Sequence, residues 1–193
     1  MTLKLITGPA TEPVTLAEAR LQCRVDADIT TDDALLTALI VAVREQAEHE
    51  IGRPLITQTW EKVLDEFPAA ELEIGKPNLL SITSLKYIDV NGVEQTMDPS
   101  LYYVDTDSTS GWVLPAADTE WPDTDETVNA VRVRFTCGYG AASDVPEGIK
   151  AWIKLRVATL YKFREHIAAG ASVNELPSGF VDRILDPYRA WGV

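Results

Sequence analysis

The chain has 193 residues, 46% of them hydrophobic, and its 30 acidic side chains against 17 basic ones give a formal net charge of -13. Mean hydropathy is close to zero, no apolar run approaches the roughly 18 residues of a membrane-spanning helix, and so strong a negative balance argues against any large surface that grips phosphate backbones. The length suits one buried core, or a core with an appended lobe, and Met1 to Leu5 lacks a signal-peptide core, so a cytosolic protein is expected.

A short extended lead ends at Gly8-Pro9. Thr15 and Glu18 form a Thr-x-x-Glu capping box that opens a helix through about Val25, with Leu16, Ala19 and Val25 on one face. A turn over Asp26 to Thr31 follows. Thr31, Asp32 and Asp33 start a second helix with an acidic first turn, as the helix dipole favours. Leu35, Leu36, Leu39, Ile40, Val43, Ala47 and Ile51 recur at three- and four-residue steps along it, and Gly52-Arg53-Pro54 stops it.

Strand signals then take over. Thr57 to Leu64 alternates around Trp60, and Ser84 to Val90 leads through Asn91-Gly92, a strong hairpin signal, into a return strand over Val93 to Met97. Leu101 to Asp105 and Gly111 to Leu114 are further strands. From Asn129 to Thr136, Val131, Val133 and Phe135 alternate with Arg132, Arg134 and Thr136, the period of a half-buried strand. Pro146 opens the last long helix, apolar over a wide arc (Ile149, Trp152, Ile153, Leu155, Val157, Leu160, Tyr161), with Lys150, Lys154 and Lys162 on the rest. A loop around Ala169 to Ser172, Leu176-Pro177 and a short helix from Ser178 to about Leu185 complete the chain. The expected fold is α+β in a single domain: a mainly helical body (13–56 and 145–193) with an inserted antiparallel β-rich lobe (57–140).

Catalytic, metal and cofactor residues are not expected. Cys23 and Cys137 lack the close Cys or His partners of a zinc site and read as two buried free thiols. His49 and His166 stand beside no nucleophile, phosphate loop or His-Glu-x-x-His run. Glu45, Glu48, His49 and Arg53 have the spacing of an exposed helix face. A small enzyme would have to rest on Glu48, His49 and Asp26, and no pocket-forming glycine turn accompanies them. The acidic stretch lacks the order of an EF-hand loop.

The charge is unevenly spread. Asp98, Asp105, Asp107, Asp118, Glu120, Asp123, Asp125 and Glu126 follow one another with no Lys or Arg between them. From Lys150 onward the cations Lys150, Lys154, Arg156, Lys162, Arg164, Arg183 and Arg189 outnumber the acids. This pattern is either a solvated acidic loop beside an ordinary helix surface, or complementary contact between neighbouring copies, or an acidic wall facing something that should not stick.

In order and spacing, these pieces resemble the head-to-tail connector, or adaptor, proteins of long-tailed bacteriophages and prophages. The resemblance is carried by Pro13-Val14-Thr15-Leu16-Ala17-Glu18-Ala19, Thr31-Asp32-Asp33, Glu50-Ile51-Gly52-Arg53-Pro54-Leu55-Ile56 and Thr57-Gln58-Thr59-Trp60. It resumes in Phe135-Thr136-Cys137-Gly138-Tyr139-Gly140, Val145-Pro146, Leu160-Tyr161-Lys162-Phe163-Arg164-Glu165, Leu176-Pro177 and Asp186-Pro187-Tyr188-Arg189. The stretch from Phe67 to Glu126 carries little of it.

The resemblance implies a non-catalytic virion protein of the neck, made in the host cytoplasm. It implies a homo-oligomeric ring, dodecameric in type, seated below the portal protein. The ring extends the DNA exit channel, lets DNA pass without specific binding, and presents a platform to a downstream head-completion or tail protein. The segment from Leu185 would dock on a neighbouring ring, with Tyr188, Arg189 and Trp191 as anchors, and the acidic residues from Asp98 to Glu126 would line the channel or meet a neighbouring subunit. A non-viral oligomeric α+β interaction module is the alternative.

Overall fold

The computed structural model describes residues 2–163 and 183–190. The loop around Ala169 to Ser172, Leu176-Pro177, most of the expected helix from Ser178, His166 and Trp191 lie outside the described residues. The fold is α+β, with three helices and two antiparallel sheets among those residues. The chain divides into two compact units, one from the residues up to Ala10 with Thr57–Tyr139, the other from Thr11–Ile56 with the described residues from Gly140 on.

The first unit is a pair of sheets. Strands β1 (Thr2–Thr7), β2 (Gln58–Leu64), β4 (Leu79–Ile88), β5 (Glu94–Thr96) and β8 (Val131–Cys137) form one sheet in the order β1-β2-β8-β4-β5. Strands β3 (Leu72–Glu73), β6 (Tyr102–Asp105) and β7 (Trp112–Pro115) form the other, in the order β3-β7-β6. The alternation in β8 decides the layering: Val131, Val133, Phe135 and Cys137 are fully buried, while Arg132 and Arg134 are exposed. Leu72, Val113 and Tyr102 of the three-stranded sheet join that buried cluster, so the smaller sheet covers the apolar face of the larger one.

The extended lead is itself a strand, paired to β2 with Thr2 opposite Val63. Strand β4 begins at Leu79, five residues before the start expected from sequence. Register shifts between Leu79 and Ser81 and between Ile82 and Ser84 break the two-residue period there. The hairpin turn forms as expected: Asp89 accepts the amides of Asn91 (2.9 Å) and Val93 (3.1 Å) and the side-chain amide of Gln95 (2.8 Å). The short strand β3 was not expected, because two residues give no period to read.

Gly111, at φ +67°, enters β7 where an added Cβ would lie 2.7 Å from the Leu79 side chain. Leu79 is 2% exposed and has no room to withdraw. Gly111→Ala therefore combines overpacking with a left-handed backbone and should cost about 2 to 4 kcal/mol, read as a lowered denaturant midpoint. A parent-like midpoint would contradict the close approach.

The second unit holds α1 (Leu16–Cys23), α2 (Asp33–Ile51) and α3 (Glu147–Lys162). The capping box is present: the Glu18 amide donates to Thr15 Oγ1 (3.2 Å), and the Thr15 amide (2.8 Å) and hydroxyl (2.7 Å) donate to Glu18 Oε2, which holds the Glu18 carboxyl below its usual pKa. Asp32 precedes α2 without capping it and instead accepts the Tyr161 hydroxyl at 2.5 Å. Gly52, at φ +70°, ends α2.

Leu36, Ile40, Val43, Ala47 and Ile51 are the buried stripe of α2, and Leu39 lies beside it, half-buried. On α3, Ile149, Trp152, Ile153 and Val157 are buried, whereas Leu155 and Leu160 are exposed. Lys150, expected on the polar side, is 8% exposed. Its stem runs along the apolar surface while Nζ reaches Glu147 at 2.9 Å. Cys137 is buried as expected, but Cys23 is only half-buried, and partial burial raises its thiol pKa.

Candidate interaction surfaces

In the second unit, the residues read as an exposed helix face separate into two roles. Arg44, 5% exposed, is the hub: Nε meets Glu12 at 2.9 Å, Nη1 meets Glu48 at 2.9 Å and Nη2 meets Glu45 at 3.4 Å. Burial weighs against its charge, but Glu12 and Glu48 outweigh that and raise its pKa. The other oxygen of Glu48 accepts the Leu55 amide at 2.8 Å, so Glu48 ties the end of α2 to the segment that follows it. Glu48 is thus a structural residue. His49 is exposed, and consecutive helix positions do not face each other, which separates it from Glu48. Asp26 is an exposed turn residue whose carbonyl accepts the Ile29 amide. Among the described residues no cluster of His, Cys, Asp and Glu has the make-up of a metal site, and no helix is long and apolar enough to cross a membrane.

The segment expected to dock on a partner is partly committed to its own unit. Leu185 is fully buried, and Tyr188 lies across Gly148, where an added Cβ would come within 2.7 Å of the tyrosine oxygen. The Ala190 amide donates to the Ile51 carbonyl at 2.8 Å. Arg189 is half-buried and pairs with Asp186 at 3.3 Å. Trp191 lies outside the described residues.

In the first unit, several of the expected acids hold turns. Asp98 caps the 3-10 turn Pro99–Leu101 by accepting the amide and hydroxyl of Ser100, and those bonds keep its carboxyl below the usual range. Asp105 does the same at the end of β6, held down first by Ser108 and then by the Asp107 amide. Asp107, Asp118, Glu120, Asp123 and Glu126 are exposed, and the Asp125 amide donates to Ile88. Glu120 and Asp123 join Glu66 around an open cleft of about 580 Å³, beside Phe67 and Trp121. Those two rings stack at 4.8 Å, and the Trp121 indole donates to the Ala70 carbonyl at 2.6 Å.

A further charged surface was not anticipated as such. Residues directly opposite one another in antiparallel strands share a face, and the side of the five-stranded sheet away from the apolar core carries Lys4 opposite Glu61, Glu61 opposite Arg134, and Lys86 opposite Arg132. Arg134 bonds Glu61 at 2.8 Å, Lys86 bonds Glu94 at 2.7 Å, and the Ser81 and Thr136 hydroxyls meet at 2.8 Å. The outward arginines of β8 were visible in the alternation, but joining them to Lys4 and Lys86 required the strand order.

Residues 13–77 match the family model of phage gp6-like head-tail connector proteins. The resemblance to connectors is therefore shown over that stretch. It spans the N-terminal helices, β2 and β3, and stops before the acidic region. In fold, the whole chain is similar to solved neck proteins. One is a chain from the neck of an empty gene transfer agent (GTA) particle computed with C6 symmetry, at 24% identity and a TM-score of 0.80, covering 100% of this chain and 97% of that one. Another comes from the virion of a native GTA particle, at 22% identity, a TM-score of 0.80 and the same coverage. A third, from the neck of a native GTA particle computed with C12 symmetry, has 20% identity and a TM-score of 0.71, again covering 100% and 97%. No curated protein matches the chain. The chain is thus similar to phage gp6-like connectors in sequence over residues 13–77, and it shares the fold of these GTA particle chains.

Proposed function

We propose that this protein is a structural connector of a phage-like particle, assembled as a ring in the neck, below the portal protein and above a downstream head-completion or tail protein. The observation that carries this reading is the full-length likeness to GTA neck chains together with the connector match over residues 13–77. Ring assembly draws support from the C6 and C12 symmetry of the particles to which those chains belong. Its place in the virion neck and its synthesis in a bacterial cytoplasm belong to the same reading. DNA passes through such a ring, and a net charge of -13 suits a conduit that must not retain it.

Docking on the portal falls to Arg189 and Trp191 more than to Tyr188, whose ring is engaged with Gly148. Truncation after Leu185 removes contacts of the fold as well as the docking segment, so it does not separate the two roles. The discriminating variant is truncation after Ala190 combined with Arg189→Ala. It should melt like the parent and lose capture by purified portal protein. Retained capture with a normal melting curve would remove the docking assignment.

A further inference from the structure

We propose that the outer face of the five-stranded sheet is a contact surface for a second copy of this chain, seated on that copy's acidic layer of β6, β7 and their loops. The proposal rests on the ring reading above and supplies its subunit contact.

Within the first unit, the outer face of the larger sheet and the loops around the smaller one carry opposite charge. On the outer face of the larger sheet stand Lys4, Lys86, Arg132 and Arg134 against only two carboxylates, Glu61 and Glu94. Hydroxyl residues, Thr59, Ser84 and Thr136 among them, share this face, and both arginines are exposed. A local excess of cations is unusual on a chain of net charge -13.

The smaller sheet covers the opposite, apolar face, because Leu72, Val113 and Tyr102 pack with Val131, Val133 and Phe135. Asp105 ends β6, Asp98 caps the turn before it, and Asp107, Asp118 and Glu120 stand in the loops that flank β7, in a stretch with no Lys or Arg. The unit therefore has a basic side, the outer face of the larger sheet, and an acidic side, the loops that flank β6 and β7. Two such units attract when the basic side of one meets the acidic side of the next, and the contact is heterologous, the kind that closes into a ring.

Duplex DNA is also a polyanion, but four cations on so acidic a chain make a poor phosphate track. Every copy, by contrast, carries both complementary sides.

The test uses the full chain in sedimentation at about 10 µM to 1 mM and at low and high salt. Arg132→Glu with Arg134→Glu makes one variant, and Asp107→Lys with Glu120→Lys makes the other. All four residues are exposed; Arg134→Glu gives up the Glu61 bond, so a modest fall in melting temperature with cooperative unfolding retained is expected for that variant and marks an intact fold. The parent should associate at low salt and dissociate at high salt. Each variant alone should associate about tenfold or more weakly than the parent, and a one-to-one mixture should recover association because the reversed charges again complement each other.

Association insensitive to both variants, or no recovery on mixing, overturns the proposal. So does the absence of any association by the parent, which leaves the connector reading to be judged by portal capture. A random-sequence duplex titrated in parallel tests the other polyanion. If Arg132→Glu with Arg134→Glu abolishes DNA binding while self-association persists, the face belongs to DNA instead.

Discussion

Trp152→Ala should lower stability by about 3 to 5 kcal/mol, a fall in melting temperature of about 10 °C for a chain of this size. The indole is fully buried, as are Ile149, Ile153 and Val157 on the same helix, so the cavity left behind has rigid walls and cannot collapse. Leu39 belongs to the stripe of α2 expected from sequence, but it is only half-buried. Leu36, fully buried one turn earlier, takes its place. Leu36→Ala should cost about 2 to 5 kcal/mol, and Leu39→Ala about 1 kcal/mol. Denaturant melts of the three variants check the ordering, and a Leu39 variant as weak as the Leu36 variant would mean that the buried stripe is misassigned.

Arg44→Met should cost about 3 kcal/mol, because it removes a buried guanidinium that bonds two partly buried carboxylates. The side chains of Glu12 and Glu48 are only 25% and 16% exposed. Without Arg44 both lose that bonded charge. Glu48→Gln keeps an acceptor for the Leu55 amide and should cost about 1 kcal/mol, whereas Glu45→Gln, at a side chain 65% exposed, should be close to neutral. This corrects the placement of Glu48 on a free helix face. Equal effects at Glu45 and Glu48 in denaturant melts would return it there.

Where local chemistry decides the structure, the sequence was readable. Thr15 and Glu18 bond each other's backbone within one turn, Asn91-Gly92 allows a tight hairpin, and Val131 to Phe135 can bury only one side. Expectations failed where a distant partner decides. Lys150 looks polar by type, and its burial depends on what packs along its stem. Glu48 reads as one more exposed acid until Arg44, Glu12 and Leu55 are placed around it. Leu79 to Ile82 lost its strand period to two bulges that form against β8. The basic sheet face is spread over Lys4, Lys86, Arg132 and Arg134, residues that no window of sequence brings together. The acids were visible as a run, whereas their division into turn-holding residues, such as Asp98 and Asp105, and exposed ones was not.

Both units are assembled from stretches that lie on either side of the other in sequence, and this constrains how the protein can be made. Strand β1 is synthesised before β2 yet pairs with it, with Thr2 opposite Val63, and β2 in turn waits for β8. Likewise Asp32 meets the Tyr161 hydroxyl across 129 positions. Neither unit can close before most of the chain has been synthesised, so folding is dominated by long-range contacts and is slow for its size. During that interval β1 is an unpaired strand with Leu3, Leu5 and Ile6 open to other nascent chains, and the heavy negative charge of the polypeptide keeps those chains apart.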